Sequence, residues 1–150
     1  MQSFVRVVGL LVVCSILIGL SLFWYQSVST QESEFLNVHL KGQTMHVMVA
    51  NTPESRMRGL SGHAGLEANE GMLFIFPEDG QYAFWMKDMH FPIDIIWVSH
   101  DGYVVDIASW VSPDTYPTAF SPKASARYVL ELPAGFAGEY GLVPGDLVEF

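Results

Sequence analysis

The densest run of reactive side chains in this chain is Phe84-Trp85-Met86-Lys87-Asp88-Met89-His90-Phe91-Pro92-Ile93-Asp94. Aromatic, cationic and acidic groups meet there within eleven residues. In extended backbone, successive side chains point to opposite faces, so Phe84 and Met86 share one face and Trp85 and Lys87 the other. A Trp beside a Lys and an Asp makes a shallow platform for a sugar ring or a carboxylate-bearing peptide. The competing reading is a core Trp, the usual place for aromatics in small β-domains. Asp94 lies between Ile93 and Ile95 at the start of an apolar strand. An isolated buried carboxylate is costly, so a partner is required, and Arg58 or Lys87 can serve. The expected binding surface is Arg58, Trp85, Lys87 and Asp94.

A second chemistry is soft-metal binding. His46 and Met48 are two apart on a strand pattern and so share a face. With Met86 and Met89 they form a possible copper set, since thioether and imidazole ligands suit Cu(I). Methionine is also common core filler, so no cofactor is the primary expectation and copper the alternative. Zinc chemistry lacks a set of three protein ligands. No catalytic residue is assigned. No serine sits in a Gly-x-Ser-x-Gly elbow, and Ser61 beside Gly62-His63 is adjacency rather than a dyad. A hydrolase is a further alternative, requiring Asp94 and a neighbouring His or Lys to line one pocket.

The elements that position these residues are mostly strands. LNVHLK and TMHVMVA alternate around Gly42–Gln43, the pattern of a hairpin. Thr52-Pro53-Glu54 opens a short helix, Thr as N-cap and Pro at the first helical position. Residues 60–71 read as irregular. GMLFIF (71–76) is a short apolar run, expected as a strand buried on both faces. Residues 81–86 read as another strand. Asp101-Gly102 divides two β-branched and aromatic runs within 93–110, a hairpin signal. A Pro-, Ser- and Thr-rich loop (111–126), the strand RYVLEL, one or two helical turns in PAGFAGEYGL and a final strand DLVEF complete the chain. Seven or eight short strands predict an all-β domain over 35–150, a compact jelly-roll-like barrel or sandwich with one or two short helices.

Ahead of that domain, residues 7–25 carry no charge. Nineteen such residues span roughly 28 Å as a helix, about a bilayer core. Trp24 and Tyr25 close the run, where aromatics sit at headgroup level. Residues 1–26 are therefore expected to be a transmembrane anchor, with a cleaved signal helix and secretion as the alternative. Residues 27–34 form a polar linker. Arg6 before the run, and Glu32 and Glu34 after it, leave the N-terminus in the cytoplasm and the domain on the periplasmic or extracellular side. Cys14 is the one cysteine, so no internal disulfide is possible. After residue 25 lie all 16 acidic residues and six of the seven basic ones, a formal charge of −10. That balance excludes nucleic acid as a partner and leaves the membrane, through the N-terminal helix, and an unknown protein or small-molecule ligand.

Arg58-Gly59-Leu60, Gly71-Met72-Leu73-Phe74, Phe84-Trp85-Met86-Lys87, Pro92-Ile93-Asp94, Val129-Leu130-Glu131-Leu132-Pro133-Ala134-Gly135 and Gly145-Asp146 occur in that order. As a linked series they resemble the domain-of-unknown-function 192 family over about residues 35–150. The resemblance implies a compact all-β, jelly-roll-like barrel, often behind a signal or anchor, and no established activity. Met89 and His90 depart from the family pattern, where Thr and an apolar residue are expected, and Ser61 stands where Met often follows Gly-Leu.

Overall fold

The structure, a computed structural model, describes residues 34–150. The expected N-terminal membrane segment lies outside the described residues. Among the described residues no helix is long and apolar enough to cross a membrane.

Seven strands form one curled sheet. In chain order they are β1 (Phe35–Leu40), β2 (Gln43–Ala50), β3 (Glu70–Gly80), β4 (Ile93–Val98), β5 (Val104–Val111), β6 (Ala126–Pro133) and β7 (Val148–Glu149). Two short helices, α1 (Pro53–Arg58) and α2 (Phe136–Glu139), lie between them. The strand order is β5-β4-β6-β3-β2-β1-β7. The all-β expectation therefore holds as a half-barrel sheet with two short helices. Its edges converge at one end. Val104 N–H donates to the Asp146 carbonyl (2.9 Å), Gly145 N–H to that of Val104 (2.8 Å) and Val148 N–H to that of Gly102 (2.8 Å).

Local chemistry explains several elements. Lys41 and Gly42, at φ 49° and 76°, turn β1 into β2, the left-handed pair that a two-residue hairpin requires. Thr52 caps α1 through a reciprocal box with Ser55, and Pro53 occupies its first turn. β3 runs past Pro77 to Gly80, longer than the apolar run that marks it. It pairs parallel to β2, so α1 and the following segment form a crossover.

The segment expected as a strand over 81–86 is not one. Among the described residues its one β-type pairing is a bridge between Phe84 and Phe120 (2.8 and 2.9 Å). Its side chains instead cover one face of the sheet. Phe84 meets Phe74 edge-on at 4.8 Å and Trp97 at 6.3 Å. The final strand is also shorter than DLVEF, reduced to Val148–Glu149.

Both faces of the sheet are apolar. Inside the curl lie Val38, Val47, Leu73, Ile96, Leu130, Leu132, Val148 and, from α2, Phe136. The opposite face carries Phe74, Ile93, Ile95, Trp97 and Val129, covered by Leu60, Met86 and Phe84. Every residue of β4 is buried, as expected for a strand with layers on both sides.

Candidate functional site

α1 and its exit (Arg56–Ser61), β3 (Phe74, Phe76), the covering segment (Tyr82–Trp85, Met89) and β6 (Glu131) enclose an open cleft of about 370 Å³ on the outer face. Gly59 ends α1 at φ 51°, and a Cβ there would meet Phe74 Cζ at 3.3 Å. Only a glycine lets the chain lie this close to the ring with that backbone angle. Ser61 Oγ then donates to the Lys87 carbonyl (2.9 Å), and Gly62 N–H to that of Asp88 (2.9 Å). These two bonds tie the helix exit to the turn of the covering segment.

One wall is a stack. Arg56 donates through Nη1 to the carbonyls of Asn51 (2.6 Å) and Ile75 (2.9 Å), and its guanidinium lies 5.3 Å from the Phe76 ring centroid. Phe76 stacks on Tyr82 at 3.5 Å. Trp85, 55% exposed, stands at the mouth and meets the exposed Tyr116 edge-on at 5.9 Å. Among the described residues neither Arg56 nor Arg58 forms an ion pair with a carboxylate. Two guanidinium groups without acidic partners are notable in so acidic a domain.

Glu131 is the one carboxyl among the residues lining the cleft. It is 5% exposed, and its Oε2 has no hydrogen-bond partner. Burial pushes its carboxyl up to about 8, so it is neutral at ordinary pH. An unmet buried polar atom costs about 1–3 kcal/mol. Such a group in a cleft marks a functional candidate. Sequence reasoning missed it. Its signal was available: Glu131 is a lone acid in the apolar run VLEL, the same anomaly that drew attention to Asp94.

The four residues expected to form one surface are divided. Arg58 and Trp85 line the cleft. Trp85 and Lys87 are exposed while Met86 is 2% exposed, so the alternation expected for this run holds. Lys87 does not reach the cleft lining. Asp94 is 0% exposed, and its strand parity groups it with Ile96 and Val98, inside the curl and on the other face from the cleft. It pairs with neither Arg58 nor Lys87. Its Oδ1 accepts from the N–H groups of Trp110 (2.7 Å) and Gly135 (3.1 Å), and its Oδ2 from that of Ala137 (2.8 Å). The carboxylate anchors β5 and the start of α2 to β4. Backbone amides satisfy it without a cation, as such groups do at helix N-termini.

The four residues of the copper set lie on or against the outer face of the sheet. His46 is exposed, Met48 is partly buried against the outer layer, Met86 is core, and Met89 lines the cleft. Among the described residues no three His, Cys, Asp or Glu side chains group as metal ligands.

The profile of the domain-of-unknown-function 192 family, described as "Uncharacterized ACR", matches residues 36–150. This chain belongs to that family. Similar proteins include a "UPF0127 protein" of Thermococcus gammatolerans, 31% identical over 110 residues, which are 70% of this chain and 66% of that one. The chain thus spans just under two thirds of that relative's length. A UPF0127 protein of Thermococcus kodakarensis is 29% identical over 114 residues, 73% of this chain and 69% of that one. Among solved structures, a protein of unknown function from Novosphingobium aromaticivorans superposes with a TM-score of 0.76 at 28% identity, covering 81% of this chain and 89% of that one. One from Sinorhizobium meliloti, described as a putative transcription regulator, superposes with a TM-score of 0.73 at 30% identity, covering 78% and 94%. Family membership therefore accounts for the motif series and the fold, and brings no activity with it.

Proposed function

We propose that this domain-of-unknown-function 192 protein is a non-catalytic binding module whose cleft takes a small amphipathic organic anion. The observation that carries this reading is the pairing of an aromatic wall with two guanidinium groups that no carboxylate neutralises. The rings of Phe76, Tyr82 and Trp85 suit a flat apolar or sugar-like body. Arg58 at the rim suits a carboxylate, which guanidinium groups bind in a bidentate fork. The uncharged run 7–25 supports a tether at the outer face of the cytoplasmic membrane.

Para-acetylbenzoate is a suitable probe, joining a carboxylate to a ring. In isotope-labelled full-length protein in detergent micelles, it should shift the Trp85 indole N–H and Gly59 amide resonances. Arg58→Glu should abolish the shifts. Unmoved resonances, or shifts indifferent to Arg58→Glu, refute the reading. Extraction of cell membranes with alkaline carbonate tests the tether, which is wrong if the protein leaves with the soluble fraction.

A further inference from the structure

One polar group in the cleft is left unanswered by its own walls. Glu131 is 5% exposed and lines the cleft, and its Oε2 has no partner. Its cross-strand neighbours are Met72 on β3 and Ile95 on β4, neither of them titratable. From α1, Arg56 is taken up by the Asn51 and Ile75 carbonyls, and Arg58 is exposed. From the covering segment, Tyr82 donates its hydroxyl to the Glu78 carbonyl (2.7 Å), and Lys87, Asp88 and His90 are exposed outside the cleft lining. Among the described residues no basic side chain pairs with Glu131. A carboxyl desolvated in this way without a cation holds its proton.

Resting on the binding reading above, we propose that Glu131 selects the buried end of the ligand. As a neutral acid it donates its O–H to an acceptor oxygen, of a ketone, ester, amide or ether, while the anionic end stays at Arg58. The ligand class narrows to organic anions that carry a hydrogen-bond acceptor remote from the charge. A hydrocarbon end leaves the carboxyl of Glu131 without a hydrogen-bond partner. Ionisation of Glu131 removes the donor and sets a negative charge against the acceptor's lone pairs. Binding therefore weakens as pH rises through the carboxyl's value, about 8.

The test compares para-acetylbenzoate with para-isopropylbenzoate, of similar shape but without the acceptor, titrated into the full-length protein. The ketone should bind about tenfold more tightly near pH 7, and that advantage should shrink about tenfold by about pH 9, following the neutral fraction of Glu131. Glu131→Gln keeps a donor at every pH, so it should keep the preference and lose the pH dependence. Glu131→Leu should lose the preference, bringing the ketone down to the affinity of the isopropyl compound or below it. Equal affinities in the wild type, or ketone binding level through pH 9, overturn the role of Glu131 and leave the cleft reading standing. Absence of binding by both compounds overturns the cleft reading and the role of Glu131 together.

Discussion

Replacing Glu131 by Gln should stabilise this protein, and by an amount that grows with pH. In the folded state the carboxyl titrates at about 8, against an ordinary 4.5. Between those values the unfolded chain releases the proton and the folded one keeps it, so the unfolded state binds fewer protons. Stability therefore falls as pH rises through that window. The wild-type contribution is fully favourable below 4.5 and fully lost above about 8. A span from 4.5 to about 8 corresponds to ~5 kcal/mol once both states are ionised, about 3 kcal/mol of it already near pH 7. Glutamine has the same shape and no ionisation, so it removes this slope. Urea unfolding of both proteins from about pH 4 to pH 9 reads the difference, because every other titrating group is common to them. With a urea dependence of ~1.5 kcal/mol per molar, the midpoints should nearly coincide near pH 4 and separate by about 2 M near pH 7. Parallel pH profiles would refute the reasoning, since they mean that Glu131 ionises alike in both states.

Three further outcomes follow from named contacts. Asp94→Asn turns one of the two oxygens that accept from three backbone amides into a donor facing them; chemical denaturation should show a loss of about 2–3 kcal/mol, and a loss below ~0.5 kcal/mol contradicts the anchoring role. Gly71→Ala would place a Cβ 2.6 Å from the Glu131 carbonyl oxygen and 2.7 Å from Leu132 Cδ2, so thermal unfolding should report a loss of about 1–3 kcal/mol. Trp85→Ala, at a side chain 55% exposed, should leave stability within about 0.5 kcal/mol while abolishing probe binding; intact binding removes Trp85 from the site.

Much of the fold was legible because its causes are local. The β1–β2 hairpin, turning at Lys41-Gly42 one residue before the expected Gly42–Gln43, the Thr52 cap of α1, and the opposite faces of Met86 and Trp85 each depend on residues a few positions apart. Less legible was the parallel pairing of β2 with β3, because it depends on where the chain returns after α1. The false strand at 81–86 has strand-like alternation, but among the described residues its β-pairing is the single bridge to Phe120. Alternation records that one side of a segment is buried, and a covering loop satisfies that as well as a strand does.

The sequence by itself determined an acidic all-β domain after an uncharged apolar run, its main turns, and the anomaly of Asp94 in an apolar strand, an anomaly that Glu131 shares. It could not tell those acids apart, since each requires only that something answer its buried carboxyl. The tertiary structure decided the matter. Between Trp85 and Asp94 the chain turns at Asp88, at φ 55°, and leaves extended geometry, so parity cannot be counted across it. Asp94 lands inside the curl against three amide groups, and Glu131 lands under the cleft with Oε2 unmet. Whether a buried carboxyl is structural or ligand-directed depends on what packs over its face of the sheet, and those atoms come from segments distant in sequence.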